Sequence, residues 1–128
     1  MSEVLKAFHE MTLRPVDADY KEDPHLCAYI EQQIWNFPTF ALPHIHDPVA
    51  ICGLVHFRGI GEIWMVTGAG FERQAPVIVK QQRSLILSLI SALNLHRLDM
   101  EIDARRADAK LYAEKLGFEY DLYVFLDV

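Results

Sequence analysis

Residues 97–103, Arg97-Leu98-Asp99-Met100-Glu101-Ile102-Asp103, alternate apolar and charged side chains without a break. A strict period of two belongs to a half-buried strand, with Leu98, Met100 and Ile102 facing inward and Asp99, Glu101 and Asp103 facing water. Upstream, Pro76 suits a first helical position, and from there to Leu93, just before Asn94, an apolar stripe runs through Ile78, Leu85, Ile86, Leu89, Ile90 and Leu93. Residues 80–84 are polar and lie mostly on the wet side. Residues 85–95 are apolar nearly all round and need packing on more than one side. A second strand, residues 62–67, precedes this helix. Strand, long helix and strand in that order form a right-handed crossover, which predicts parallel pairing of residues 62–67 with 97–103.

Working outward, residues 49–57 read as a strand with Ile51, Gly53, Val55 and Phe57 on one face and Cys52, Leu54 and His56 on the other. Arg58-Gly59-Ile60-Gly61 is the turn that joins it to residues 62–67 as an antiparallel hairpin. On the far side, Asp103 can cap a helix over 104–116 whose inner face is Ala109, Tyr112, Ala113 and Leu116, with Gly117 as its stop. A last strand is predicted over 119–126. Near the front, residues 1–9 form a short helix or an irregular arm, and residues 10–14 are read as a first strand ended by Pro15. Asp17 and Asp19 are candidate N-caps. Two short helices are expected between residues 17 and 35, the second starting near Asp23 and Pro24 with Leu26, Cys27, Ile30 and Ile34 on its apolar face. Residues 36–48, with Pro38, Pro43 and Pro48, read as a loop. The expectation is one α/β domain over residues 1–128, a mixed sheet with helices packed on it in the order β-α-α-β-β-α-β-α-β.

A chain of 128 residues that is 52% hydrophobic can bury a core without disulfides. The formal net charge is -6 and no basic run is longer than Arg105-Arg106, so a nucleic-acid backbone is not an expected partner. Cys27 and Cys52 have no CxxC spacing and read as buried reduced thiols. No basic stretch is followed by an apolar one at the N-terminus, and no eighteen apolar residues stand together, so a soluble cytoplasmic protein without a signal peptide or membrane segment is expected. His44-Ile45-His46-Asp47 offers two or three metal-type ligands but no further His or Cys at a recognised spacing, so it reads as a polar loop and no metal site is expected.

The decapeptide Ala109-Lys110-Leu111-Tyr112-Ala113-Glu114-Lys115-Leu116-Gly117-Phe118 resembles the A-x-x-L-Y-x-x-x-G-F signature that closes many domains of the GNAT (N-acetyltransferase) superfamily. Val66 stands where that family's fourth strand ends, with one long helix and one strand between it and Tyr112. Thr12-Leu13-Arg14-Pro15 followed by Asp17 and Asp19 is similar to the family's opening. The likeness covers roughly residues 11–128 and implies a GNAT-like fold. Within the superfamily, Glu62-Ile63-Trp64-Met65-Val66-Thr67 ahead of a helix without the usual glycines resembles the GNAT-like internal virion protein of short-tailed bacteriophages and related prophage proteins.

The family binds acyl-CoA through R/Q-x-x-G-x-G/A, a loop whose N–H groups meet the pyrophosphate at the N-terminus of the long helix. By spacing from Val66, the glycine positions fall here on Gln74 and Pro76, and Glu72 adds a repelling charge. Arg106 replaces the family's Asn six residues before Tyr112. The resemblance therefore implies cofactor contacts at Val66, Thr67, Arg73, Gln74 and Arg106, with Arg73 and Arg106 as replacement phosphate partners or simply solvated arginines. It puts Tyr112 in the place of the acid that protonates the leaving thiolate, and Glu62 where several members hold a general base. An amphipathic core tyrosine and a polar residue after a glycine turn would look the same. His56 is a weaker alternative base, and Trp35 and Trp64 read as core or interface aromatics.

Two functions follow from the resemblance. The first is a phage or prophage virion or assembly component that works through protein partners or self-association, found in the cytoplasm or within a phage particle and needing no cofactor. The alternative is an N-acetyltransferase that moves an acetyl group from acetyl-CoA to an amine.

Overall fold

The computed structural model describes residues 2–102, 106–119 and 124–125. The hairpin is its simplest part. Strands β2 (Ala50–Phe57) and β3 (Ile60–Thr67) pair antiparallel over their whole length, from Phe57↔Ile60 to Ala50↔Thr67. The turn is two residues, with Arg58 at φ 52° and Gly59 at φ 82°. Left-handed dihedrals at both positions match the twist of the strands, so the hairpin closes two residues earlier than the four-residue turn predicted above.

The crossover also forms as expected. Helix α4 (Phe71–Leu93) carries the chain from β3 to β4 (Arg97–Met100), which pairs parallel with β3. Asn94 ends the helix in the left-handed region. The start of α4 corrects the sequence expectation: Gly70 is its N-cap and Pro76 is its sixth residue, not its first. The missing Pro76 N–H would have met the Glu72 carbonyl, so one bond is lost near an end while the first turn keeps all its donors.

At the front, α1 (Glu3–Glu10) is a capped helix, with Ser2 Oγ accepting from the N–H groups of Val4 and Leu5 at 3.2 and 3.4 Å. The predicted first strand over 10–14 reduces to one bridge, Leu13↔Gly68. A 3-10 turn at Pro15–Asp17 leads to α2 (Asp19–Glu22) and α3 (Pro24–Asn36). Asp23 caps α3 through His25 N at 2.8 Å and Leu26 N at 3.4 Å, whereas Asp17 and Asp19 cap nothing. The proline-rich stretch 36–48 contains a strand, β1 (Thr39–Leu42), on the sheet edge against β2. Only one side of an edge strand needs partners, so flanking prolines are tolerated there.

After β4, which is shorter than the predicted 97–103, comes α5 (Ala107–Leu116), ending at Gly117. The proposed cap Asp103 lies outside the described residues. The single strand expected over 119–126 is instead two short pieces, β5 (Phe118–Glu119) and β6 (Val124–Phe125), paired antiparallel; its other residues lie outside the described ones. The sheet order is β1-β2-β3-β4-β6-β5, a mixed α/β sheet.

One face of the sheet carries Ala50, Cys52, Leu54 and Ile63 against α4 and α5; the other carries Ile51 and Val66 against Phe8, Ile30 and Ile34 of α1 and α3. The sheet is thus covered on both faces, which explains why β2 is buried on both sides for most of its length. Among the described residues no helix is long and apolar enough to cross a membrane.

Candidate functional site

The site begins where the β3–β4 ladder stops. The pairing runs from Ile60↔Arg97 to Ile63↔Met100, and the next bridge of this parallel pattern, Trp64 with Glu101, is not made. β3 nevertheless continues to Thr67 on its β2 side. The two strands therefore splay, and a cleft of about 880 Å³ opens between residues 63–67 and 100–102. Its floor is the flank of β3 beyond Ile63, along which no strand pairs among the described residues. The backbone groups of Trp64 and Val66 point to β2, so those of Met65 face the gap, while the Ile63 carbonyl belongs to the last bridge of the ladder, Ile63↔Met100. Those of Thr67 are taken: its carbonyl accepts from Arg14 N at 2.9 Å, and its N–H donates to Asp17 Oδ2 at 2.9 Å.

Trp64 is placed by a close approach. Its cross-strand partner is Gly53, and a Cβ there would stand 2.6 Å from the indole ring. Gly53 is needed because the ring lies on the backbone.

The polar end of the cleft is a network between the N-termini of α4 and α5. Arg14 donates from Nε to Thr67 Oγ1 at 2.6 Å and from Nη1 to Glu72 Oε1 at 3.0 Å, and its guanidinium lies 4.8 Å from the centre of the Phe71 ring. Arg106 donates from Nη1 to Asp17 Oδ1 and from Nη2 to Asp108 Oδ2, both at 2.9 Å. Asp108 Oδ2 is also 3.6 Å from Arg14 Nη2. Asp17, only 2% exposed, accepts from the Thr67 hydroxyl as well. Two guanidinium groups are thus shared among three carboxylates. Hydrogen bonding from Arg106 holds the Asp108 carboxyl below its ordinary value.

The expected site residues are distributed unevenly. Glu62 and Tyr112 both line the cleft but from opposite faces of the sheet, since Glu62 shares the face of Trp64 and Val66 while Tyr112 belongs to the core under α4 and α5. The Tyr112 hydroxyl donates to Gln82 Oε1 at 2.7 Å inside that core. Burial, then the neighbouring Cys52, raises its pKa further above that of a free phenol. Arg106 and Thr67 are in the network. The Val66 side chain is buried in the α1–α3 core. Arg73 and Gln74 do not line the cleft; their side chains curl back to 3.6 and 3.9 Å from where a Cβ on Gly70 would stand. His56 stacks edge-on with Phe37, away from the cleft. His44 and His46 have ring centres 6.4 Å apart, and among the described residues no group of three or more His, Cys, Asp or Glu gathers as metal ligands. Trp35, read above as core or interface, is 62% exposed. Cys52 is buried and its thiol is pushed up to about 12 by burial, while Cys27 is half-buried with its thiol raised by burial and Glu31.

Arg14, Asp17 and Asp108 are the network residues that the sequence did not single out for function. Arg14 and Asp17 stand in the Leu13-Arg14-Pro15 and Asp17 opening, which was the available signal for those two.

Glu62 faces like charge. Burial raises its carboxyl above the usual value, and Glu101 and Asp99 act in the same direction. An acid with a raised folded value costs stability wherever it is ionised, and that cost disappears as pH falls below the ordinary carboxylate range. Glu62→Gln is expected to raise the thermal midpoint at pH 7 and to leave it unchanged at pH 3. A lower midpoint at pH 7 would show that the carboxylate is paired, not repelled.

No family model matches the chain, and no curated protein matches it either. What the site does rests on its own geometry.

Proposed function

We propose that this chain is a GNAT-like domain that works by binding, as a phage or prophage-type virion or assembly component, and not by acyl transfer. The GNAT part of the reading is supported by the splayed strand pair, the long helix between its strands, and the Tyr112-to-Phe118 helix end. The loss of chemistry is supported by one observation above all: the cationic groups at the cleft's polar end are already held by Asp17, Glu72 and Asp108. A nucleotide pyrophosphate would have to displace these carboxylates or face them. The residues present do not fit acetyl-CoA.

Tyr112 points the same way. A phenol that is to protonate a leaving group must turn its proton toward the reacting atoms, and this one gives it to Gln82. With acetyl-CoA and a panel of amines the protein is expected to release no CoA above the buffer rate. Tyr112→Phe should lower stability by about 1–3 kcal/mol, because the buried Gln82 carbonyl loses its donor, and should leave that background rate unchanged. Turnover in the native protein that falls on this substitution overturns the proposal. A portal or tail-tube gene beside the gene for this chain would support the virion role.

The second reading, N-acetyl transfer from acetyl-CoA to an amine, is favoured by the start of α4. Among the described residues no acceptor meets the N–H groups of Gly70, Glu72 and Arg73 there, and such a turn attracts anions. Glu72 in the same turn already supplies a negative charge to it.

A further inference from the structure

We infer that β1 joins a second copy of this chain: its outer flank pairs antiparallel with the same flank of the partner, about a two-fold axis at Phe40, and the two sheets become one. This pairing rests on the sheet edge alone and holds whether or not the cleft takes a cofactor.

The β1 backbone sets the register. β1 pairs with β2 from Thr39↔Gly53 to Leu42↔Ala50, and just before it the Pro38 carbonyl accepts from Leu54 N at 3.1 Å. Antiparallel bonding alternates along a strand, so Phe40 and Leu42 also turn their groups to β2, while the N–H and carbonyl of Thr39 and of Ala41 point outward. β1 ends the sheet, and among the described residues no donor or acceptor meets these four groups. Two strands separate β1 from β4, and β5 closes the opposite edge, so the segments that leave β4, β5 and β6 start far from it.

This flank is complementary to itself. Bonded residues in an antiparallel pair exchange both bonds, so both must turn toward each other. Against a second copy, Thr39 meets the partner's Ala41 and Ala41 meets the partner's Thr39, which uses every outward group. Phe40 then faces its own copy, and Leu42 faces the partner's Pro38 in a non-bonded pair, where a missing N–H costs nothing. One position further, Pro43 has no N–H and its carbonyl accepts from Gln81 Nε2 at 3.3 Å, so the ladder stops there.

The edge is also unguarded. Sheet edges are ordinarily protected by charge, lysine above all. Residues 36–43, Asn36-Phe37-Pro38-Thr39-Phe40-Ala41-Leu42-Pro43, carry none. In a chain of net charge -6, an uncharged edge is where two copies approach with least repulsion. Apolar surface continues beside it. Phe40 is only partly buried against the α4 core, and Val77, one turn before Gln81 on the side of α4 that reaches Pro43, is 52% exposed.

Sedimentation velocity of the intact chain tests the pairing. A four-residue strand is small beside the about 1,200–2,000 Å² of a stable interface, so a weak dimer is expected, with a Kd on the order of 100 μM. The mass should rise with concentration from one chain toward two and no further, because a two-fold contact closes. Ala41→Pro removes an N–H that the monomer does not use and puts a ring in the place of the bond, so it should weaken association at least about tenfold with the melting temperature kept. Thr39→Lys leaves every backbone group in place and sets like charges on diagonal neighbours across the axis, so it should also weaken the dimer, more at low salt than at high. Should proline unfold the chain, the lysine variant decides alone. A monomer at about ten times that Kd means that the edge serves another chain or none, and overturns the proposal. So does a dimer that the folded variants leave intact, or a species larger than two.

Discussion

Asp17→Ala is expected to lower folding stability by about 3 kcal/mol, read as a fall in the urea midpoint with an unchanged slope. Asp17 is 2% exposed and takes three donors: the Thr67 N–H, the Thr67 hydroxyl and Arg106 Nη1. Alanine leaves the buried Thr67 N–H without an acceptor, which is the larger part of the cost. Arg106 suffers less, because its side chain is 27% exposed and keeps Asp108. The double change Asp17→Ala with Arg106→Ala should therefore cost less than the two single losses added. Glu72→Gln makes the contrast. Its carboxylate is 82% exposed, so its pair with Arg14 should contribute no more than about 0.5 kcal/mol. Equal losses at Asp17 and Glu72 would mean that the network is a surface feature and not the joint between the N-terminal segment, β3 and α5.

Phe8→Ala should be costlier still, about 3–5 kcal/mol by the usual loss for a buried aromatic. Phe8 is 0% exposed and packs with Leu5, Ile30, Ile34, Ile51 and Val66. Lys21 lies over its ring at 5.4 Å and donates to the carbonyls of His9 and Met11, which fixes the end of α1. A domain of this size has about 5–15 kcal/mol in all, so the variant should approach the edge of folding at 37 °C. Calorimetric melting checks this. A loss below about 1 kcal/mol would mean that α1 is a detachable arm and that the sheet's second face is closed by α3 alone.

These two residues also show what the sequence could tell. The C-terminal half was legible because its signals are local: the alternation at Leu98 and Met100, the stripe through Ile78 and Ile86, and the stop at Gly117 each follow from periodicity or one dihedral. The front half was harder. Leu5, Phe8 and Met11 are too few to announce a helix, and α1 is held by tertiary packing on a face made by residues far along the chain. β1 was hidden by Pro38 and Pro43, since a four-residue edge strand needs only one bonded side. Pro76 suggested a helix start, yet the true start is set by Gly70 at φ 88°.

The candidate site was legible in its residues but not in their state. Glu62, Thr67, Arg106 and Tyr112 do line one cleft. Nothing in their spacing could say that Arg106 is paired to Asp17 across 89 positions, or that Tyr112 turns to Gln82. Pro76 removes no donor from the first turn of α4; the obstacle proposed above is the carboxylates that hold the arginines.

Titration calorimetry of the intact protein with acetyl-CoA tests this most directly. Because the arginines of the cleft are already paired with the chain's own acids, no heat of binding is expected up to about 1 mM ligand. Binding in the micromolar range that is lost on Arg106→Glu would contradict it.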